Sequence, residues 1–361
     1  MHTFRVALTG DFLDVTGHSA YGDIGLGLLT GVPYIRHHFI QEHAPVPNDP
    51  ATSDRLYALE VTPEQIADVD GLIVLRPWVK AGAFAHGAAN LVVIGRSGAG
   101  YDKIDVAACT ANDVALYNAP DALTHSTASS ALLLMLALAK RLPHQEQITR
   151  AGRWDLQHTV IGDELAGRTL GIIGLGRSGR ELVRLVAPFG MPVLAFSPHA
   201  DPAVAATLGV RLVSLDDLLR QSDFVSLHCR LTSETRRLLG AAELGSMQPS
   251  AYLINVARGE LIDQSALVAA LREQRIAGAG LDVFEVEPLP ATDPLLRLPN
   301  VIVTPHWLPA TAPIWQATGR ATCDGMLWAA RGETPPNIIN PEVLERPGFQ
   351  AKLRRFGANQ G

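Results

Sequence analysis

The chain has 361 residues, of which 47% are hydrophobic and 18% charged, and its 30 basic and 36 acidic residues give a formal net charge of −6. This length exceeds what one ordinary hydrophobic core supports, so we expect two domains, and the composition excludes a disordered chain. A mildly acidic chain lacks the basic face with which nucleic-acid-binding proteins contact phosphates, so no nucleic-acid partner is expected.

Cysteine spacing and hydropathy exclude further classes. Cys109, Cys229 and Cys323 lie far apart, which predicts neither a disulfide framework nor a metal site. The amino terminus, MHTFRVALTGDF, resembles a strand rather than a signal peptide. The most apolar stretch, residues 131–139, is shorter than the roughly 20 residues that cross a bilayer. We therefore expect a cytoplasmic protein with no membrane association.

Short apolar runs alternate with helical patterns along nearly the whole chain. Strands are predicted at residues 4–8, 71–75, 91–94, 114–117, 169–173, 192–196, 224–227, 251–255, 278–282 and 301–303. Strands separated by helices indicate parallel sheets covered on both faces. The predicted fold class is α/β, with two Rossmann-like or flavodoxin-like doubly wound parallel-sheet domains and a cleft between them.

Two boundaries divide the chain in this interpretation. One follows residue 118, before a long apolar helix at 126–141, and the other follows Pro309, after the last strand. Residues 1–118 and 310–361 are predicted to form a substrate-binding domain, and residues 119–309 an NAD(P)-binding Rossmann domain. Two crossings between domains allow a cleft to close. Residues 16–55, rich in Gly, Pro and His, are predicted to hold loops or an insertion.

A glycine-rich turn follows the predicted strand at 169–173. The sequence from Gly174 to Gly179, GLGRSG, is a G-x-G-x-x-G motif between a strand and a helix, which is the context of a dinucleotide site. Gly174 allows the tight turn, Gly176 the approach of a pyrophosphate, and Gly179 close packing of helix and strand. Arg177 and Ser178 begin the helix, whose free N–H groups favour phosphate.

The choice between NAD and NADP depends on the end of the next strand. An acidic residue that binds the ribose is expected there, but this chain has Ser197. Either Ser197 accepts the 2′-phosphate of NADP, with Arg177 and His199 adding positive charge, or Asp201 reaches the ribose of NAD.

Three ionisable residues follow separate predicted strands in the second half of the chain. They are Arg258, Glu287 and His306. Each alone is an ordinary surface cation, turn carboxylate or strand-end histidine. Together, beside a dinucleotide turn, they suit hydride transfer: arginine binds a 2-keto acid carboxylate with two N–H donors, and histidine exchanges a proton near neutral pH.

The chain resembles the D-isomer-specific 2-hydroxyacid dehydrogenase family, which includes phosphoglycerate, glyoxylate/hydroxypyruvate and D-lactate dehydrogenases. The resemblance spans residues 91–344 and is faint before residue 70. The blocks that carry it are VIGRSGAGYDKID, LAGRTLGIIGLGRSG, VSLHCRLTSETRRLLG, LINVARGELIDQSAL, GAGLDVFEVEP and VIVTPHW.

The resemblance implies roles for individual residues. Arg258 corresponds to the arginine that binds the substrate carboxylate and carbonyl, Glu287 to the glutamate that orients the histidine, and His306 to the acid/base. The implied cofactor-binding residues are His228, Thr235, Val256, Ala257 and Asp282, the last contacting the nicotinamide amide. The implied second clamp on the substrate carboxylate is the backbone of Ser97, Gly98, Ala99 and Gly100.

Several positions depart from the family pattern. Besides Ser197, the chain has Ser129-Ser130 in place of a Glu-His pair, Arg230 in place of proline, and Trp307 in place of a smaller residue. Trp307 is predicted to shape the substrate pocket. Arg76 either binds a second acidic group of the substrate or is an ordinary cation at the cleft edge.

The implied activity is NAD(P)-dependent interconversion of a 2-keto acid and a D-2-hydroxy acid. About 30 residues follow Ala330, too few for the regulatory domain of long phosphoglycerate dehydrogenases, so a short form is expected. A homodimer through the cofactor domain is implied, with an arm near Trp154. The alternatives are a nucleotide-sensing corepressor of the same fold and a phosphite-type dehydrogenase.

Overall fold

A computed structural model describes residues 2–49 and 51–357. The chain forms two compact units: unit 1 comprises Met1–Leu123 and Ala310–Gly361, and unit 2 comprises Thr124–Pro309. The division after residue 123 lies five residues beyond the boundary predicted at 118, because the loop after the last strand of unit 1 packs with that unit. The second division coincides with the predicted position at 309.

Unit 1 contains a five-stranded parallel sheet in the order β2-β1-β3-β4-β5. Its strands are β1 (Phe4–Thr9), β2 (Ile35–Ile40), β3 (Gly71–Val74), β4 (Val93–Arg96) and β5 (Ala115–Asn118). Its helices are α1 (Leu26–Thr30), α2 (Thr52–Ala58), α3 (Pro63–Ala67), α4 (Val106–Ala111), α12 (Ala312–Ala330) and α13 (Pro347–Arg354), with 3-10 turns at Gly10–Phe12, Gln41–His43, Ala81–Phe84 and Pro341–Glu345. The strand order is that of flavodoxin-like folds.

Unit 2 contains a seven-stranded parallel sheet in the order β12-β11-β10-β9-β6-β7-β8. Its strands are β6 (Leu170–Ile173), β7 (Val193–Phe196), β8 (Val210–Leu212), β9 (Phe224–Leu227), β10 (Tyr252–Asn255), β11 (Gly278–Leu281) and β12 (Val301–Val303). Its helices are α5 (Thr124–Ala139), α6 (Leu142–Arg150), α7 (Arg177–Val186), α8 (Pro202–Thr207), α9 (Leu215–Gln221), α10 (Ala241–Ser246) and α11 (Gln264–Arg272), with 3-10 turns at Trp154–Thr159, Ala187–Phe189, Gly259–Leu261 and Pro294–Arg297. From β8 to β11 the strand order matches the Rossmann arrangement, and β12 extends the sheet.

The predicted fold class is confirmed: both units are α/β with parallel sheets. The central strands β3, β6, β9 and β11 are buried along their whole length, because helices cover both faces of each sheet. Side-chain caps begin several of the covering helices: Asp105 caps α4, Ser214 caps α9 and Asp263 caps α11.

Two strands are absent from the sequence prediction. Strand β2 lies within the region predicted as loops or an insertion, and β8 has only three residues. Both are edge strands. Because an edge strand is covered on fewer sides, β2 carries His37 and His38 between apolar ends, so it lacks the continuous apolar run of a central strand.

Helix α12 packs against strands β3, β4 and β5 of the unit 1 sheet. Gly325 lies over the ring of Tyr117, where a Cβ would overlap the ring carbons and approach the hydroxyl oxygen to 2.7 Å. Tyr117 is fully buried, and its hydroxyl donates to the Thr322 carbonyl at 2.6 Å. Among the described residues, no helix is both long and apolar enough to cross a membrane.

Two helical glycines make a matched stability test. Gly325→Ala is expected to destabilise the protein by about 1–3 kcal/mol, because the new methyl group overpacks the Tyr117 ring. Gly245→Ala, in α10, places its methyl in open space and is expected to be neutral or stabilising by up to about 1 kcal/mol. Thermal unfolding of both variants checks this. Equal melting temperatures for the two would contradict the close packing of α12.

Candidate active site

Three loops at the carboxyl edge of the seven-stranded sheet carry the predicted catalytic residues. Strands β10, β11 and β12 are neighbours in the sheet. Arg258 follows β10, Glu287 lies in the loop after β11, and His306 follows β12. Because the strands are parallel, all three loops emerge at the same edge, where ligands bind in such sheets. The structure thus brings the three residues into one region of unit 2.

Glu287 and His306 are joined directly. His306 Nδ1 lies 2.8 Å from Glu287 Oε2, and the second carboxylate oxygen accepts from the Phe284 N–H at 3.1 Å. The side chain of His306 is 35% exposed and that of Glu287 is 19% exposed. The pair is therefore partly buried but still accessible to a small molecule. A carboxylate only accepts hydrogen bonds, so Nδ1 donates to Glu287. Nε2 is then the ring nitrogen left for another partner.

The electrostatic environment keeps Glu287 ionised. Burial is the largest single influence and opposes the charged form, while the hydrogen bond and positive charge of His306 favour it. The Phe284 N–H and the charge of Arg258 act in the same direction, so the pKa of Glu287 lies below its ordinary value. The Arg258 guanidinium itself donates through Nη1 to the Ala257 carbonyl at 2.7 Å.

Gly259 brings the loops after β10 and β11 together. A Cβ on Gly259 would overlap the carbonyl group of Phe284 and the nitrogen of Glu285. Only glycine therefore allows the Arg258 loop to pack against the backbone that leads to Glu287. The carbonyl of Arg258 also accepts from Asn255 Nδ2 at 2.8 Å, and Asn255 Oδ1 accepts from the Ala257 N–H at 3.0 Å. Val256 is buried and Ala257 half-buried in this turn.

Asp282 holds the loop that carries His306. Its carboxylate is buried and accepts from the Thr304 hydroxyl at 2.7 Å, from the Trp307 N–H at 3.0 Å and from the Leu308 N–H at 3.3 Å. His306 itself has φ 54°, an uncommon conformation for a residue with a side chain. The bonds on either side of His306 hold it in that conformation. Trp307 is 37% exposed.

The glycine-rich turn lies where the strand order of unit 2 reverses, between β6 and β9. Gly174 has φ 98°, and a Cβ there would come within 2.6–2.8 Å of the backbone of His228 and Cys229. Gly176 ends the turn with open space on the side where a Cβ would stand. Helix α7 begins at Arg177, which is exposed, and Gly179 lies buried against β6.

This turn fits a dinucleotide. The open face of Gly176 leaves room for a pyrophosphate close to the backbone, and Gly176 has no side chain to accept from the first-turn N–H groups of α7. A bound phosphate would accept from those groups and gain from the helix dipole. His228 Nδ1 lies 3.1 Å from the hydroxyl of Ser178, in the first turn of α7.

The residue after β7, which is expected to determine the preference for NAD or NADP, has an uncharged side chain. Ser197 follows β7 directly and is half-buried. The carboxylate of Asp201 accepts from the Ala203 N–H at 2.8 Å and caps α8. Thr235, also predicted at the cofactor site, makes hydrogen bonds within its own loop: its hydroxyl donates to the Arg230 carbonyl at 2.7 Å and accepts from the Thr232 N–H at 2.8 Å.

The remaining predicted residues lie in unit 1, at the carboxyl edge of its sheet. Ser97 follows β4, and its buried hydroxyl has no hydrogen-bond partner within the described part of the chain. The Gly98 and Ala99 carbonyls accept from the Ala119 N–H and from Asn118, which fixes the backbone through Gly100.

Arg76 follows β3 and is held in place within unit 1. Its Nη1 donates to the buried carboxylate of Asp11 at 3.3 Å and to the Tyr21 hydroxyl at 3.0 Å. The structure therefore gives Arg76 a structural role, besides any part in binding a substrate.

Two contributors were absent from the sequence prediction. Gly259 was recognisable only as the residue after Arg258. Ser226, whose hydroxyl oxygen lies 2.9 Å from His228 Nε2, was recognisable only as one residue of a buried strand. The signal that could have found Gly259 is its position directly after a candidate catalytic arginine. Within residues 2–49 and 51–357, no group of three or more His, Cys, Asp or Glu side chains is arranged to bind a metal ion.

Comparison with known proteins places these features in a family. Residues 132–307 match the NAD-binding domain of the D-isomer-specific 2-hydroxyacid dehydrogenases. The glyoxylate reductase of Korarchaeum cryptofilum is 39% identical over 293 residues, which is 80% of this chain and 88% of the relative. The D-3-phosphoglycerate dehydrogenase of Methanocaldococcus jannaschii is 40% identical over 77% of this chain but only 53% of its own length.

A solved structure agrees with this assignment. The NADPH-dependent glyoxylate/hydroxypyruvate reductase of Sinorhizobium meliloti, in complex with NADP and malonate, superposes with a TM-score of 0.75. It is 29% identical, and the match covers 93% of this chain and 96% of that one.

Two further glycines test the local geometry. Gly259→Ala is expected to push the Phe284 segment away and break the bond between Glu287 and His306, because the new methyl overlaps backbone atoms. Gly176→Ala fills open space and should leave that bond intact. In protein labelled with 15N-histidine, the hydrogen-bonded Nδ1–H signal of His306 is expected to vanish only in Gly259→Ala. Its persistence there would show that the two loops adjust independently.

Proposed function

The chain belongs to the D-isomer-specific 2-hydroxyacid dehydrogenase family. From this premise we propose that it reduces a 2-keto acid to a D-2-hydroxy acid and catalyses the reverse oxidation. The residues proposed to carry the reaction are Arg258, Glu287 and His306. The observation that carries the proposal is the bond between Glu287 and His306, with Arg258 acting on the same carboxylate. A histidine that is oriented by a partly buried carboxylate suits proton exchange with a bound keto acid.

Each residue has a defined part in the proposed reaction. The Arg258 guanidinium binds the substrate carboxylate through two parallel N–H donors. His306 Nε2 donates a proton to the carbonyl oxygen during reduction and takes one from the hydroxyl during oxidation. Glu287 keeps Nδ1 protonated throughout, so that the proton always leaves from Nε2, and its negative charge stabilises the imidazolium.

The glycine turn, α7 and Ser197 are the residues that would hold a nicotinamide dinucleotide in unit 2. When bound in its reduced form, the nicotinamide supplies the hydride for the carbonyl carbon. The first-turn N–H groups of α7, beside the open face of Gly176, would donate hydrogen bonds to its phosphates. Asp282 is proposed to contact the nicotinamide amide. Its carboxylate also accepts hydrogen bonds from the Thr304 hydroxyl and the Trp307 N–H, which lie on either side of His306.

The backbone of residues 97–100 is proposed to bind the substrate carboxylate as well. Support comes from the buried Ser97 hydroxyl, which lacks a partner among the described residues. The substrates we consider are glyoxylate, hydroxypyruvate, phosphohydroxypyruvate and larger keto acids. Trp307, partly exposed beside His306, is proposed to limit their size.

A homodimer through unit 2 completes the proposal. Trp154 and Ile161 are 66% and 77% exposed, and large apolar side chains exposed to this degree favour burial against a partner. A second copy of the chain is the partner that we propose.

The direct test is a substrate panel. Purified protein is mixed with NADH or NADPH and glyoxylate, hydroxypyruvate, phosphohydroxypyruvate or larger keto acids, and the loss of reduced-nicotinamide absorbance is followed. We expect rapid oxidation with at least one keto acid. Tight cofactor binding without turnover would instead support a nucleotide-sensing protein. In a parallel assay that starts from NAD+ or NADP+, reduction of the cofactor by phosphite alone would support a phosphite dehydrogenase, because phosphite is oxidised to phosphate as the cofactor gains the hydride.

His306→Asn isolates the proton donor. The asparagine amide nitrogen stands near the position of Nδ1 and can still donate to Glu287, and asparagine tolerates the positive φ of this position. It has no counterpart of Nε2. Turnover is therefore expected to fall by about a hundredfold or more, with the dissociation constant of the reduced cofactor unchanged. Steady-state kinetics and fluorescence titration measure the two.

Glu287→Gln provides the companion variant, because glutamine keeps the shape of the side chain without its charge. It is expected to lower turnover and to leave cofactor affinity in place. Full activity in His306→Asn would remove His306 from the mechanism, whatever the result for Glu287→Gln.

We further propose that the enzyme accepts NADPH, since Ser197 carries no charge to repel a 2′-phosphate and Asp201 already caps α8. Ser197→Asp is expected to shift the ratio of kcat/KM toward NADH by about tenfold or more, through repulsion of the 2′-phosphate. Asp201→Ser is the control, because serine also caps a helix. A loss of NADH activity in Asp201→Ser, with no shift in Ser197→Asp, would assign the ribose to Asp201.

A further inference from the structure

Three side chains form a chain of hydrogen bonds beside the glycine turn. Ser226 lies within β9 and is fully buried. Its hydroxyl oxygen is 2.9 Å from His228 Nε2, and His228 Nδ1 is 3.1 Å from the hydroxyl oxygen of Ser178. Ser178 is the second residue of α7. The imidazole thus connects the interior of the sheet to the helix terminus at which a pyrophosphate would bind.

The backbone fixes the ring in this position. The His228 N–H donates to the Ile173 carbonyl at 2.8 Å, which joins the ends of β9 and β6. Gly174 presses against the same strand end, with no room for a Cβ beside His228 and Cys229. The distance between Ser226 and Ser178 is therefore set by the sheet and the turn, and His228 spans it.

The two ring nitrogens have different roles. Burial lowers the pKa of His228 to about 4, so the ring is neutral at physiological pH and carries one proton. Apart from His228, no hydrogen-bond partner of the Ser226 side chain exists among the described residues. Ser226 therefore donates its hydroxyl proton to Nε2, since a buried hydroxyl without an acceptor is costly. The ring proton is then on Nδ1 and points to Ser178.

We propose that His228 is a positioning residue, which occupies the acceptor side of the Ser178 hydroxyl and so turns its proton toward the pyrophosphate of the bound dinucleotide. Because Ser178 receives the Nδ1 proton on a lone pair, its own O–H is directed elsewhere. The open face of Gly176, two residues earlier, is where the phosphate acceptor would lie. This inference rests on the proposed function, because it takes the dinucleotide as the ligand.

Two substitutions of His228 separate positioning from packing. In His228→Asn the amide nitrogen stands near Nδ1 and can still donate to Ser178. In His228→Gln the amide reaches the position of Nε2, near Ser226, and leaves Ser178 without that donor. Calorimetric titration with ADP-ribose, which contains the pyrophosphate, and with adenosine, which contains no phosphate, reports on the subsite without any turnover.

Ser178→Ala and His228→Gln are each expected to weaken ADP-ribose binding by about tenfold, as expected for a lost hydrogen bond to a charged group. His228→Asn should bind within about twofold of the wild type, and adenosine should bind equally to all variants. In the double variant of Ser178→Ala with His228→Gln, the second change should cost nothing further, because the histidine acts only through the serine.

Three results would overturn the proposal. One is equal weakening in His228→Asn and His228→Gln, which would indicate packing alone. Another is an additional tenfold loss in the double variant, and the third is wild-type affinity in His228→Gln. Thermal unfolding verifies that each variant is folded, and Ser178→Ala, a change of one half-buried hydroxyl, keeps the test valid if a His228 variant unfolds. A wild-type protein that binds no ADP-ribose would overturn the cofactor assignment itself, and this proposal with it.

Discussion

The hydrogen bond between Glu287 and His306 is the interaction on which the site depends, and it exists only because loops after three neighbouring strands are held against one another. Gly259 allows the loop after β10 to pack against the backbone of the loop after β11. Asp282 holds the loop after β12 through hydrogen bonds to Thr304, Trp307 and Leu308. Such positions act on the reaction through geometry. A small displacement of any loop separates the carboxylate from the ring, and aligned groups contribute far more than the same groups held loosely.

The same sheet edge carries the nucleotide turn, and the two features share one cause. In a parallel sheet every strand ends on the same side, so the β6 turn and the loops after β10, β11 and β12 emerge together. The order of strands reverses between β6 and β9, and the turn that follows β6 has open space at Gly176. Hydrogen bonds from Ser226 to His228 and from His228 to Ser178 connect the buried strand β9 to the first turn of α7. Unit 2 thus carries the proposed phosphate subsite and the proposed acid/base pair on one framework.

Much of this architecture is predictable from sequence, because buried central strands are continuous apolar runs and G-x-G-x-x-G has a specific context. All ten predicted strands are present. The edge strands β2 and β8 escape prediction because half-exposed segments lose that apolar signal. The candidate catalytic residues were identified as strand-end groups and by resemblance, but the contact of Gly259 with Phe284 and the bonds of Asp282 to the His306 loop join residues distant in sequence. Local sequence patterns do not indicate contacts between residues that are distant in the chain. Such contacts become visible only in the folded structure.

Transfer of label from the cofactor tests the central claim most directly. Reduced nicotinamide cofactor carrying two deuterium atoms at C4 is incubated with the protein and hydroxypyruvate, and the glycerate formed is analysed by NMR and chiral chromatography. The account predicts D-glycerate with deuterium at C2, and almost none when His306→Asn replaces the wild type. Deuterium that stays in the cofactor or appears in water would contradict hydride transfer to a keto acid at this site.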